Sequence, residues 1–383
     1  MGRNIVYLTN YYMDDVIAQR NSRPFISQAG QNKSRYIMDM LRAGGNQVTV
    51  WSNAWTRSTS LRYHKGFQST LDENLYYSSI FGFPFLNVWF CKKSCIRFLK
   101  QLHKKKPIDA IVFYNMRLEN APVALYFKKK YNIPILLQYE DGLTRDASVT
   151  GLKRKLYQRM ERKTLPEIDG AFLVNSKIKV PCPYEVIRGA IRKVDALERS
   201  INAVPKILFA STLDEQRGVS VLLQSLREIE EEFELYVTGK GSSEGNVKEC
   251  QDHRIHFLGF IDYEEYEEVL KSADICINAQ LTHQSFGNFS FPSKIYEYLS
   301  YQKLVVSSDV ADAREAIGEI AFVYENDDPK ALAKELKKAI AVLKDEEKYK
   351  EIRKKIADFI EENQIEKVAE RVNLLLDEIG VNQ

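Results

Sequence analysis

The chain has no run of about 18 apolar residues, and no charged segment leads into an apolar stretch at its start. The expectation is a cytoplasmic protein with neither a membrane span nor a secretory leader. Its five cysteines, Cys91, Cys95, Cys182, Cys250 and Cys276, are odd in number and scattered, which excludes a disulfide framework and reads as reduced thiols. Cys91 and Cys95 stand four apart, but the two further ligands of a zinc site are missing. There is no compact acidic cluster of the kind that holds magnesium, so neither a metal nor a cofactor is expected. The five histidines form no cluster either; His253 and His256 flank a strand start and His283 lies in a loop. No recognition helix or RNA-binding signature is present, so nucleic acid is not an expected partner.

What is present is a chain of 383 residues, long for one core and suited to two domains. The net charge of +3 hides a division. Residues 1–200 hold 33 Lys and Arg against 16 Asp and Glu, a net +17, whereas 201–383 hold 22 against 36, a net −14. The basic half is the one expected to meet an anionic partner.

Each half alternates short apolar runs with helical patterns. In the first, "NIVYLT" is followed by a helix with Tyr36, Ile37, Met40 and Leu41 on one face, ended by Gly44 and Gly45, and then by the strand "QVTVW". "IDAIVFYN", "IPILLQYE" and "IDGAFLVN" continue the series. The pattern pauses near "IRKVDALERSINAV" and restarts with "PKILFAST", helix "SVLLQSLREIEEE", strands "FELYVTG" and "IHFLGF", helix "YEEYEEVLKSA", and strands "DICINA" and "KLVVSS". Such alternation predicts an α/β protein with two parallel sheets, each covered on both faces. Ligands of such sheets bind beyond the carboxyl ends of the strands, so two domains facing each other make an inter-domain cleft. The charged helices of 345–383 have no strand of their own and must pack back on what precedes them.

The loops after the strands of the second half share a character. Ser211 and Thr212 end one strand, Arg217 and Gly218 precede a helix, Gly239 and Gly241 follow another strand, and Gly259 with Phe260 follows a third. Each alone is ordinary turn chemistry. Together with Lys294, which opens a helix after the start residues Pro292 and Ser293, they are the parts needed to hold a diphosphate. A cation in a helix's first turn is mildly unfavourable, so Lys294 either points into water or marks the place of an anion.

The ordered segments "ILFASTLDEQRGVSVLL", "LYVTGKG", "IHFLGFIDYEEYEEVLKSADICINAQ" and "FPSKIYEYLSYQKLVVSSDV" resemble the C-terminal domain of GT-B fold retaining glycosyltransferases of family 4. In the first half, "AGQNKSRYIMDMLRAGGNQVTVW", with Gly30, resembles the glycine-led first helix of that family, and "YEVIRGAI" its turn before the linker. The resemblance implies two Rossmann-like αβα domains: an acceptor-binding domain over 1–195, a linker over 196–204, a nucleotide-sugar domain over 205–360, and a C-terminal helix over 361–383 returning to the first. It implies that Arg217, with Lys294, contacts the donor's phosphates as the catalytic charge. Glu297 then accepts hydrogen bonds from the ribose, and Gly239, Gly241 and the Gly259–Phe260 loop line the donor site. It implies retention at the anomeric carbon without a metal, a nucleotide-sugar donor and a glycan or lipid-linked acceptor in cell-surface polysaccharide or glycoconjugate assembly. The chain departs from the pattern in three places. Phe289 replaces the first glutamate of a pair, Thr212 replaces an arginine, and Glu140, followed by Asp141, replaces a histidine. Glu140 and Asp141 are then acceptor-side groups or simply a turn after a strand. These departures leave a second reading, a binding or scaffold subunit that keeps the fold without turnover, and a third, a nucleotide-sugar enzyme such as an epimerase.

Two segments of the basic half, 79–106 and 151–165, set Lys and Arg around aromatic or apolar stripes, the second through Leu152, Leu156 and Met160. They read as a peripheral contact with an anionic membrane at the inner face, or as ordinary helices with solvated charge.

Overall fold

The computed structural model describes residues 2–24, 26, 28–56, 62–81, 83–140, 150–191, 194, 202–283 and 290–381, with side chains at all but 28, 29, 84 and 85. The chain forms two units, one of Met1–Ile187 with Ile365–Gln383 and one of Arg188–Gln364. Residues 196–201 of the expected linker lie outside the described residues, and the boundary between units falls earlier, after Ile187.

In the second unit, six apolar runs give six parallel strands in the spatial order Ile255–Gly259, Glu234–Thr238, Lys206–Ala210, Ile275–Asn278, Leu304–Ser308, Phe322–Tyr324. Ile207, Leu208, Leu235, Ile275, Val305 and Val306 are fully buried, the signature of strands covered on both faces. The chain order along the sheet is third, second, first, fourth, fifth, sixth, so it reverses direction between Lys206–Ala210 and Ile275–Asn278. A doubly wound sheet binds its ligands outside the carboxyl ends at that reversal.

The expected helix "SVLLQSLREIEEE" is shorter than its pattern. It runs Val219–Ser225, tightens into a 3₁₀ turn at Leu226–Glu228, and gives way to extended chain at Ile229. The Arg254 guanidinium explains the stop. It donates to the carbonyls of Leu226 (2.9 Å) and Ile229 (2.7 Å), giving the exposed helix end its partners from outside the helix.

The first unit holds an eight-stranded sheet ordered Tyr184–Val186, Gly170–Leu173, Ile135–Tyr139, Ala110–Tyr114, Asn4–Thr9, Gln47–Ser52, Leu75–Tyr77, Phe67–Gln68. It departs from the all-parallel expectation at one edge, where Phe67–Gln68 pairs antiparallel with Leu75–Tyr77. A separate small sheet pairs Tyr63–His64 with Ile80–Phe81. These two- and three-residue strands are too short to show a period in sequence. Here too the order reverses beside the first strand, between Asn4–Thr9 and Ala110–Tyr114.

The helix Ile365–Glu378 belongs to this first unit and buries Val368, Val372, Leu375 and Leu376. Arg3, with its side chain fully buried, ties the C-terminal segment down: it donates to the Val381 carbonyl (2.6 Å), to Asn373 Oδ1 (3.0 Å) and to Asp377. Asn373 in turn donates to the Gly44 carbonyl at the end of helix Gln28–Ala43.

Candidate functional site

At the reversal point of the second unit, the loop after Lys206–Ala210 is shaped by local chemistry. Asp214 accepts from the Arg217 backbone N–H at 3.1 Å and caps a single turn, Glu215–Arg217. Gly218 follows at φ 75°, and a Cβ there would lie 1.9 Å from the Ala279 carbonyl oxygen. Only glycine lets this loop meet the loop after Ile275–Asn278. The two are laced together: Leu281 N–H donates to the Gln216 carbonyl at 3.0 Å, and the exposed Arg217 guanidinium donates to the Gln280 side-chain oxygen. The Gln280 carbonyl accepts from Ser308 Oγ at 2.6 Å, so a third loop joins them.

Gly239 and Gly241, expected to line the donor site, are required here by the close packing of two loops. Their added Cβ atoms would lie 1.8 Å from the Ser211 carbonyl oxygen and 2.2 Å from that of Leu213. They dock one loop of this unit on another, with Ser211 N–H donating to the Thr238 carbonyl and Leu213 N–H to that of Lys240. The Gly259 carbonyl accepts from Gly239 N–H and from Thr238 Oγ1, both at 2.8 Å. Beyond it Phe260 is 72 % exposed, with the Lys240 ammonium 4.7 Å from its ring centre. Thr212 is exposed and Ser211 half-buried.

Lys294 is exposed as a residue, but its ammonium turns back onto the sheet. It is the first residue of helix Lys294–Ser300, after buried Pro292 and exposed Ser293, and its ammonium donates to the Ala210 carbonyl at 2.6 Å. The same ammonium lies 5.3 Å from the Tyr266 ring centre, and Tyr266 OH donates to Glu297 Oε2 at 3.1 Å. Packing around the ammonium lowers the Lys294 pKa; the Glu297 carboxylate opposes this and Arg217 adds to it. Lys294, Glu297, Arg217 and Ser211 thus gather at the carboxyl end of the first strand. The helices after Gly218 and Ser293 are seven residues each, so their dipoles are small and the two cations carry the local charge.

Asp327 anchors the far side of this loop cluster. Burial alone would raise its pKa, but the N–H and hydroxyl of Thr282 and the His283 ring, all directed at the carboxylate, hold it below the usual range. Phe289 lies outside the described residues.

In the first unit, Gly30 sits in helix Gln28–Ala43 and Glu140 directly follows strand Ile135–Tyr139, while Asp141 lies outside the described residues. Glu140 N–H donates to Asn115 Oδ1 at 2.8 Å, and its carboxylate oxygen Oε1 accepts from Gln138 Nε2 at 3.0 Å. Lys33 Nζ stands 3.5 Å from that same oxygen. Sequence reasoning missed Lys33, Tyr266, Gln280 and Asp327. Lys33 had a signal: it precedes Tyr36 and Ile37 by three and four residues, which places it on the inward stripe. Nothing local marked Gln280 or Asp327, whose roles arise from loops far apart in the chain. Among the described residues no three His, Cys, Asp or Glu side chains gather as metal ligands would.

Two parallel-sheet Rossmann-like units define an α/β protein of the GT-B fold. Residues 204–341 match the model of the family described as glycosyl transferases group 1. Solved structures agree on the fold. Sucrose-phosphate synthase from Thermosynechococcus elongatus superposes with a TM-score of 0.69 at 15 % identity, over 98 % of this chain and 99 % of that one. A glycosyltransferase from Rickettsia africae does so at 0.64 and 17 %, over the whole of both chains. Anabaena HepE, solved in complex with UDP and glucose, gives 0.64 at 13 %, over 98 % of this chain and 100 % of that one. No curated protein matches the chain in sequence.

Proposed function

We propose that the protein transfers a sugar from a nucleoside-diphosphate sugar to a glycan or lipid-linked acceptor, with retention at the anomeric carbon and without a metal or other cofactor. The observation that carries this reading is the gathering of Arg217 and Lys294 at the reversal point of the second sheet, with the Glu297 carboxylate beside them. Breaking the bond between the anomeric carbon and the diphosphate builds negative charge on the leaving group. Cations already in place stabilise that charge without reorganising, which lowers the barrier. Glu297, steadied by Tyr266, has acceptor oxygens suited to ribose hydroxyls. The solved complex of HepE with UDP and glucose supports a nucleotide-sugar donor for this fold.

The acceptor falls to the basic first unit, through Glu140 and the neighbourhood of Gly30 in this reading, and its assembly role is in cell-surface polysaccharide or glycoconjugate at the cytoplasmic face of a membrane. On helix Pro84–Lys105, Leu86 (46 % exposed) and Trp89 (44 %) share a face with Lys93 and Arg97; on Gly151–Thr164, Leu152 is 69 % exposed among basic residues. An apolar tip set in positive charge suits an anionic bilayer surface. No helix among the described residues is long and apolar enough to cross a membrane.

The test is incubation with UDP-, GDP-, ADP- and dTDP-sugars in EDTA, scored as released nucleotide, with the anomeric configuration of the product read by NMR. Transfer with retention that is lost in the Arg217→Ala, Lys294→Ala double variant is expected. Nucleotide binding without transfer or hydrolysis of any donor would favour a scaffold subunit, and conversion of a donor with no acceptor present would favour an epimerase.

A further inference from the structure

Beneath Glu140 lies a polar chain that the donor chemistry does not use. Lys33, its side chain 10 % exposed, faces Glu140 Oε1 and also donates to the Ile187 carbonyl. Gln138, fully buried, donates through Nε2 to that same Oε1 and accepts through its own oxygen from Tyr7 OH. Tyr7 is fully buried as well, flanked by the Thr9 and Ser34 hydroxyls, which stand 3.0 Å from one another. The carboxylate accepts only, so the Gln138 amide has one workable orientation, with its nitrogen toward Glu140. A buried chain of this kind is worth its desolvation only when its members are satisfied. Every contact on Glu140's carboxylate goes to Oε1; Oε2 has no partner among the described residues, and the side chain keeps 15 % of its surface exposed.

We propose that Lys33 is a positioning residue that, with Gln138, fixes Glu140 by one oxygen so that Oε2 takes a hydroxyl of the sugar being transferred or of the acceptor. The arrangement rests on the glycosyltransferase reading above and adds to it the group that aims Glu140. Lys33 sets a positive charge beside the Glu140 carboxylate, and that carboxylate offsets part of the burial of the ammonium. The strand end supplies the rest, since Asn115, at φ 51°, turns its side-chain oxygen onto the Glu140 N–H and sets the direction of the backbone. The ligand is therefore a polyhydroxyl sugar offering an O–H donor.

The test measures nucleotide release from UDP-glucose, UDP-galactose and GDP-mannose, in water alone and with added methyl glycosides as acceptors, for Lys33→Met, Lys33→Arg, Glu140→Gln and Lys33→Met/Glu140→Gln. Affinity for UDP and GDP is followed in parallel. Lys33→Met and Glu140→Gln should each lower kcat/KM by about ten- to hundredfold, the loss that a misplacement of an ångström brings. The double variant should fall no further than Glu140→Gln, Lys33→Arg should recover part of the loss, and nucleotide affinity should stay within about twofold throughout. A deficit already present in hydrolysis assigns the hydroxyl to the transferred sugar; one confined to transfer assigns it to the acceptor. Wild-type kcat/KM in Lys33→Met beside an impaired Glu140→Gln, or losses that multiply in the double variant, would overturn the proposal alone. A wild-type protein that binds UDP or GDP yet releases nucleotide from none of the donors fails the donor reading, and the proposal with it.

Discussion

The ammonium of Lys294 donates to the carbonyl of Ala210 at 2.6 Å, joining the first residue of a helix to the last residue of the first strand 84 positions earlier. A lysine at the start of a helix is thereby accounted for. Its charge leaves the helix axis and stands on the strand end where a doubly wound sheet receives its ligand.

The proton on Lys294 should report donor binding. Its folded pKa lies below that of an ordinary lysine, because packing desolvates the ammonium by more than the Glu297 carboxylate offsets, with a smaller repulsion from Arg217. An anionic diphosphate favours the charged form, so affinity is full at pH values where Lys294 is protonated and falls as pH rises through the lowered value. Calorimetry of UDP and GDP binding in buffers of different ionisation enthalpy, over about pH 7 to 10, should show proton uptake that disappears in Lys294→Met. Equal uptake by that variant would place the proton elsewhere.

Gly218→Ala should be costly twice over. The residue sits at φ 75°, and the new methyl would meet the Ala279 carbonyl at 1.9 Å. Left-handed strain of about 1–3 kcal/mol comes with displacement of Arg217 from Gln280, so urea midpoint and nucleotide affinity should drop together. Gly245→Ala is the contrast. Its Cβ meets nothing within 4 Å in helix Glu244–Lys248, and alanine there should raise stability by about 0.5–1 kcal/mol.

Removal of the chain from Ile365 onward should unfold the first unit and spare the second. Val368, Val372, Leu375 and Leu376 are buried in the first unit, each worth about 1.5–3 kcal/mol, and Arg3 would lose all three of its partners. The combined loss is comparable to the stability of a whole domain. Hydrogen exchange should then rise across Asn4–Thr9 and helix Gln28–Ala43 while Lys206–Ala210 and Leu304–Ser308 stay protected; uniform loss of protection would refute the assignment.

Leu86→Ser/Trp89→Ser should weaken sedimentation with phosphatidylglycerol vesicles at least fivefold and leave donor hydrolysis unchanged. Binding of the wild type should fall with salt, because the lysines around the apolar tip act through a screened charge. Retention of full vesicle binding by the double variant would remove this surface from the interaction.

Much of the architecture was legible before any coordinates. Periodic apolar runs gave the strands and most helices, glycines gave the turns, and the order of Arg217, Lys294 and Glu297 along the chain pointed to a donor site. These are local properties, set by side-chain period and backbone freedom within a few residues. Short pairings such as Phe67–Gln68 were not legible, because two residues carry no period. Neither was the work of Gly239 and Gly241, which depends on how near Ser211 and Leu213 come. The tertiary structure alone decided where Lys294 spends its charge, that Tyr266 steadies Glu297, and that Lys33 turns inward to Glu140. Each joins groups 31 to 107 residues apart. Such charges are set by desolvation and by partners from other elements, and no window of sequence contains both.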